Sequence, residues 1–204
     1  MKLSSEQPKI LVVGSSSIDL VLNTDHFPYP GHTVMAHKSE NFFGGKGANQ
    51  AVGTARLGAS VYFIGCVGMD PHGQQIMRNL VEENVNVGFV VEHEECSSGT
   101  AYVTAYGGEY SIVVVPAANY SLKPAHIDVA ERLFSTTDLV LIQLEIPMNV
   151  VEYTVKLAKF NDKRVGIYAA PAAKLSDYLI ENADFIIVKS NELSIVFENE
   201  NLDE

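Results

Sequence analysis

Two carboxylates, one amide and one ammonium group stand out in this chain of 204 residues: Asp19, Glu145, Asn49 and Lys46. A carboxylate accepts hydrogen bonds from two neighbouring hydroxyls, and a primary amide both donates and accepts. The set suits a polyhydroxylated small molecule. Lys46 and Asn49 lie in the stretch FFGGKGANQAVGTARLGA, residues 42–59, where Gly44, Gly45 and Gly47 crowd around the lysine. A phosphate loop would place Ser or Thr directly after the lysine; here Gly47 follows, so the Walker motif is absent. The dinucleotide fingerprint is absent too, because Ala48, Asn49 and Gln50 follow Gly45-Lys46-Gly47 with no third glycine. What remains is a glycine turn opening a helix. Its free N–H groups and positive dipole end face whatever lies above them, and bare glycine backbone lets a ligand come close. Taken singly, each group also has a plain reading: a glycine-rich helix start, a turn residue at Asp19, a solvated strand end at Glu145. Other chemistries find less support. The six histidines show no metal-ligand spacing, and GSSSID lacks the G-x-S-x-G nucleophile pattern.

These groups need elements that bring them together. KILVVG (9–14), SVYFIGCVG (60–68), DLVLIQLE (138–145), RVGIYA and DFIIV are short apolar runs, the pattern of strands buried on both faces of a parallel sheet. Helices are predicted over 46–57, from Pro71 through PHGQQIMRNLVEENV, around 124–135 and over 149–160. The alternation predicts an α/β fold, a doubly wound parallel sheet with helices on both faces. The polar, turn-rich segment at 15–43 and a hairpin about Gly107-Gly108 within 100–116 break that alternation and predict a small added sheet, a lid. Ligands of such folds sit outside the carboxyl ends of the strands. Asp19 after the first strand, Glu145 and the Gly44–Asn49 turn all fall there. With 47% apolar residues the chain has material for a full core, and its net charge of −11 argues against nucleic acid and anionic membranes as partners. Cys66 and Cys96 make no disulfide framework. MKLSSEQPKI lacks an apolar export segment, and no apolar run approaches a membrane span, so a cytoplasmic protein is the expectation.

The order and spacing of VVGSSSIDLV, FPYPGHTV and FFGGKGANQAVGTARLGA resemble the ribokinase-like (PfkB) carbohydrate kinases. GCVGMDPHG carries the family's Gly-x-Asp-x-x-Gly signature at Gly68, Asp70 and Gly73, and SSGTA, PAAN and LIQLEIP follow in register. The resemblance runs from about residue 9 to the end of the chain. It implies one ribokinase-like domain over 1–204, with lid segments near 15–43 and 97–116. It implies transfer of the γ-phosphoryl group of ATP, with Mg2+, to a primary hydroxyl of ribose, and a homodimer formed through the lid. A monovalent cation (K+) is implied for the full-length form. By resemblance Ser17, Asp19, Gly44, Gly45, Lys46, Asn49 and Glu145 hold the sugar.

The chain departs from the family at four places. Ser17 and Tyr168 stand where the family often has Asn. VKSNELS replaces the family's nucleotide stretch, which assigns Lys189, or in a shifted alignment Asn191, to the nucleotide and Glu192 to magnesium. The Gly-Ala-Gly-Asp motif with its general base is absent from these 204 residues. The resemblance then implies a sugar-binding portion with exposed apolar surface and little or no kinase activity by itself. A sister kinase for fructose, adenosine or another nucleoside, or a non-catalytic sugar-binding module, are the competing readings.

Overall fold

The computed structural model describes residues 7–198. In chain order its strands begin with β1 (Lys9–Val13), β2 (Ser17–Thr24), β3 (Ala36–Gly44), β4 (Ser60–Ile64), β5 (Cys66–Gly68) and β6 (Val85–Asn86). They continue with β7 (Val91–His93), β8 (Thr100–Tyr106), β9 (Glu109–Val115), β10 (Leu139–Gln143), β11 (Arg164–Tyr168) and β12 (Phe185–Ile187). The helices are α1 (Lys46–Arg56), α2 (Pro71–Glu82), α3 (Pro124–Asp128), α4 (Glu131–Thr136), α5 (Met148–Phe160), α6 (Asp177–Asn182) and α7 (Leu193–Phe197).

Six strands form one parallel sheet in the order β12-β11-β10-β1-β4-β6. The β1 run reads apolar at every position because both faces are covered. Leu11 and Val13 point to one side, where Val140, Ile142, Val165 and Ile167 meet Val151 and Val155 of α5. Val12 points to the other, where Val61 and Phe63 meet Ala48 and Ala51 of α1 and Ile76 and Leu80 of α2. Helices therefore flank the sheet on both faces, as the alternation predicts. The α1 stripe seen in sequence, Ala48, Ala51, Val52 and Ala55, is its sheet-facing side.

Two predicted elements divide. SVYFIGCVG is not one strand. A side chain at Gly65 would meet the Phe63 ring at 2.7 Å and the Gly14 carbonyl at 2.8 Å. The chain turns there, and Cys66–Gly68 leaves the large sheet to pair with β7. The helical signal around 124–135 becomes two short helices, α3 and α4.

The segments that break the alternation form a separate four-stranded sheet, β3-β2-β8-β9. Polarity disguises β2, yet SIDLVLNT alternates: Ile18, Leu20 and Leu22 take one face and Ser17, Asp19, Val21 and Asn23 the other. Gly107 and Gly108, at φ +60° and +88°, make the two-residue turn between β8 and β9. All of β9 is exposed. So are Phe185 and Ile187 on the edge strand β12, at 42% and 53%, which is the apolar exposure anticipated from the sequence.

The Gly-x-Asp-x-x-Gly signature has a structural explanation. Asp70 caps α2: its Oδ1 accepts the Gly73 N–H and the Ser98 Oγ–H, and its Oδ2 accepts the Ser98 N–H, each at 2.7 Å. Ser98 Oγ in turn accepts the Gly68 N–H at 3.0 Å. A side chain at Gly73 would lie 2.1 Å from the Gly68 carbonyl oxygen. The knot ties α2 to the residues that lead into β8, and so anchors the small sheet.

Candidate functional site

From β1 the chain winds outward in two directions, through β4 to β6 and, later, from β10 through β11 to β12. The reversal opens a crevice at the carboxyl ends of β1 and β10, where Ser15 and Glu145 follow their strands. The N-terminus of α1 projects into the same crevice. Glu145 Oε2 accepts the Ser15 Oγ–H at 2.5 Å and the Lys46 N–H at 3.0 Å, and Oε1 accepts Lys46 Nζ at 2.5 Å. Ser15 also accepts, through Oγ and its carbonyl, the Gly47 and Ala48 N–H groups at 3.4 and 2.8 Å. The helix's free donors are thus met by Glu145 and Ser15. One turn on, Gln50 Oε1 accepts Gln143 Nε2–H at 2.6 Å, and Gln143 is fully buried. This bond fixes α1 against β10. Burial pushes the Glu145 pKa up; the hydrogen bonds from Lys46 and Ser15 outweigh it and hold the carboxyl below its ordinary value of 4.5.

The glycines serve packing as much as access. Gly45 lies at φ +87°, and a side chain there would meet the Ser16 Cα at 2.4 Å. At Gly47 it would meet the Ser15 nitrogen at 2.6 Å. At Gly44 it would fall 2.2 Å from Asp19 Oδ1. The approach these residues permit is that of the protein's own backbone, and the space above Gly44 belongs to the Asp19 carboxylate. Ser17 donates to Asp19 Oδ1 at 2.7 Å. Asp19 itself lies within β2 of the small sheet rather than in the loop directly after β1.

Six of the seven predicted sugar-site residues, Ser17, Asp19, Gly45, Lys46, Asn49 and Glu145, line one cavity of about 380 Å³. Gly44 lies beneath Asp19 and is buried. Ala101, Ile112, Val114 and Pro116 add an apolar flank from the small sheet. Sequence reasoning gave no role to Ser15 or Asn119, which also line it. Asn119 Oδ1 accepts the Ser16 N–H at 2.9 Å, and its Nδ2 donates to the Ser16 and Pro116 carbonyls at 2.9 and 3.0 Å. It pins the end of the small sheet to the loop after β1. The available signal was the asparagine of PAAN closing an apolar strand. A second, more open concavity of about 610 Å³ continues past Asp19 along the same face of the sheet, between Val21, Phe42, Val103 and Tyr110.

Lys189, Asn191 and Glu192 follow β12 at the far edge of the large sheet and line neither concavity. Lys189 Nζ lies 3.9 Å from Glu192 Oε1. Glu192 Oε2 is buried without a hydrogen-bond partner, while Lys189 and Asn191 are exposed. Among the described residues no group of three His, Cys, Asp or Glu side chains is placed to hold a metal ion, and no helix is long and apolar enough to cross a membrane.

Comparison with known proteins agrees with this architecture. The chain is 39% identical over 188 residues to a ribokinase of Bacillus subtilis, covering 92% of this chain and 64% of that protein. It is 33% identical over 190 residues to a deoxyribokinase of Salmonella typhi, covering 92% and 62%. Its fold superposes with a TM-score of 0.85 on an Arabidopsis thaliana ribokinase solved in complex with ribose and ATP, at 27% identity, covering 97% of this chain and 66% of that one. The chain thus spans a little under two thirds of the length of these relatives. The pattern of the pfkB family carbohydrate kinases matches residues 7–204, and the chain belongs to that family.

Proposed function

We propose that this chain carries the sugar-binding portion of an enzyme that phosphorylates D-ribose to D-ribose 5-phosphate with ATP. One observation carries the reading. Groups from β2, the α1 N-terminus and the loop after β10, far apart in sequence, converge on one cavity of about 380 Å³. Its size falls within the range of about 300–1,000 Å³ usual for small-ligand sites. Asp19 supplies acceptors for vicinal hydroxyls, and Asn49 an amide at the exposed rim. Glu145 and Lys46, already paired, present fixed charges. The small sheet forms the lid.

Lys189, Asn191 and Glu192 stand as the nucleotide and magnesium groups of this reading. The buried, unpartnered Glu192 Oε2 fits a hard cation, which commonly uses one or two carboxylates plus phosphate oxygens. Mg2+ there would neutralise phosphate charge.

The test is thermal. Ribose that binds only the folded chain at 100 times its Kd adds about 2.7 kcal/mol of stability. For a domain of this size that raises Tm by about 5–10 °C. No rise at saturating ribose, with the chain folded, removes the sugar site.

The same reading includes a homodimer through the lid. Tyr110, Ile112, Val113 and Val114 of β9 are 69%, 49%, 64% and 51% exposed, an apolar strand that a second copy would cover. Light scattering is expected to give twice the 22.2 kDa chain mass; a monomer at all concentrations overturns the dimer.

A further inference from the structure

One buried polar contact lies beneath the cavity, and neither of its partners, Gln50 and Gln143, lines it. Gln143 ends β10. Leu141, two residues before it on the same face, packs with the cluster of Val12, Val61, Phe63, Ala48 and Ala51. Gln143 therefore faces α1 from among apolar neighbours, and its side chain is fully buried. Its Nε2 donates to Gln50 Oε1 at 2.6 Å. Its Oε1 is buried without a hydrogen-bond partner among the described residues. A side chain at Gly14 would fall 1.8 Å from that oxygen and 2.9 Å from the Gly47 Cα. Three segments meet at this one amide: the end of β1, the first turns of α1 and the end of β10.

Each segment carries part of the cavity. Ser15 follows Gly14, Lys46 and Asn49 lie within the turn before Gln50, and Glu145 is two residues past Gln143. Packing alone does not explain an amide at this place. An unbranched methionine has nearly the same length and leaves no buried oxygen unpaired, and an unpaired buried acceptor lowers stability. What apolar packing lacks is direction. The α1 helix meets the sheet through Ala48 and Ala51, whose small side chains interlock little with their neighbours. A buried hydrogen bond is directional, and a single buried amide fixes the register of packed helices in coiled coils at some loss of stability.

We propose that Gln143 is a positioning residue: through its bond to Gln50 it sets the height of α1 against β10, and so the placement of Lys46 and Asn49 relative to Glu145, and by this it raises the affinity of the cavity for its sugar. The inference rests on the sugar-site reading above and deepens it. Gln143 touches no ligand. It acts through α1, and the fold itself does not need it.

The experiment uses the 204-residue chain carrying Gln50→Met, Gln143→Met or both, with ribose Kd measured by calorimetry and stability by urea unfolding. The double variant is expected to be at least as stable as wild type, since both partners are replaced by apolar groups of similar shape. Its ribose Kd is nevertheless expected to rise about tenfold, below the roughly hundredfold that a 1 Å misplacement can cost. Each single variant breaks the same bond and is expected to show the same rise. Gln50→Glu keeps an acceptor at that place and is expected to retain the wild-type Kd. If the double variant does not fold, Gln50→Met, which alters a half-buried side chain, carries the same test. A second readout needs no sugar. A looser Lys46–Glu145 pair brings the Glu145 carboxyl back toward its ordinary value, so the stability difference between Glu145→Gln and its parent is expected to vary less with pH in the double variant than in wild type. A double variant with the wild-type Kd and the wild-type pH dependence overturns the role of Gln143, whatever its stability. Absence of ribose binding to the folded wild-type chain overturns the sugar reading and the effect on affinity with it; the pH dependence then decides by itself whether Gln143 positions the pair.

Discussion

Asp19→Ala is expected to remove most of the rise in melting temperature that ribose is proposed to produce. Among the described residues, Asp19 is the only carboxylate lining the cavity that is not already engaged by a cation; Glu145 is held by Lys46. Hydrogen bonds to a charged acceptor contribute about 1.5–3 kcal/mol each, so losing two hydroxyl contacts raises Kd at least about 100-fold. At a ribose concentration that was 100 times the wild-type Kd, the variant is then no more than half saturated. The stabilisation falls from about 2.7 to about 0.4 kcal/mol, and the Tm rise from several degrees to about 1 °C. The unliganded protein is expected to change little, because Asp19 is half-buried and, among the described residues, its side chain is bonded to Ser17 alone. Asp19→Asn keeps the shape and serves as the control for folding. A full ribose shift in the alanine variant removes Asp19 from the site.

The parts of this molecule that were legible in the sequence are those whose local pattern and tertiary role agree. KILVV, LVLIQ and RVGIY read as strands covered on both faces and are so in the large sheet. The α1 stripe gave the side of the helix that packs on that sheet. Six of the seven predicted sugar-site residues fall on one cavity: Glu145 and the α1 N-terminus because strand ends at the point of reversal are close by topology, and Ser17 and Asp19 because β2 of the small sheet runs past that end. What was not legible depends on contacts between segments. The break at Gly65 follows from the Phe63 ring and the Gly14 carbonyl, neither of which is visible as a turn signal. The glycines of GGKG read as open backbone for a ligand; their crowding against residues 14–16 and Asp19 appears only when the chain is folded. Asn119 carries no local signal of its partner, because its bonds to Ser16 span 103 positions. The Glu145–Lys46 pair spans 99, and no spacing rule connects the two.

That pair sets the second large effect. Glu145→Ala leaves the Lys46 ammonium, the Lys46 N–H and the Ser15 hydroxyl facing the cavity without their acceptor. Removing one partner of a fully buried pair costs about 3–5 kcal/mol. Here the side chains of Lys46 and Glu145 are 33% and 17% exposed, so water compensates in part and the loss is expected at about 2–3 kcal/mol, or roughly 5–10 °C in Tm. The pH dependence gives a sharper readout. In the folded chain the Glu145 carboxyl titrates below its ordinary 4.5, so at moderately acid pH the unfolded chain binds the proton more readily. The stability from this shift is fully present above about pH 4.5 and is lost as pH falls through the lower, folded value. Glu145→Gln keeps the shape and removes the titration. Its deficit against wild type, measured by urea unfolding, is therefore expected to be largest near neutrality and to shrink as the pH is lowered below about 4.5. Asp70 is also held below its ordinary value, since the bonds from Ser98 and Gly73 outweigh its burial, so both proteins keep some acid sensitivity. Only the difference between them belongs to Glu145. A deficit that stays constant from neutrality into acid would mean that Glu145 supports the α1 N-terminus through shape and neutral hydrogen bonds rather than through its charge.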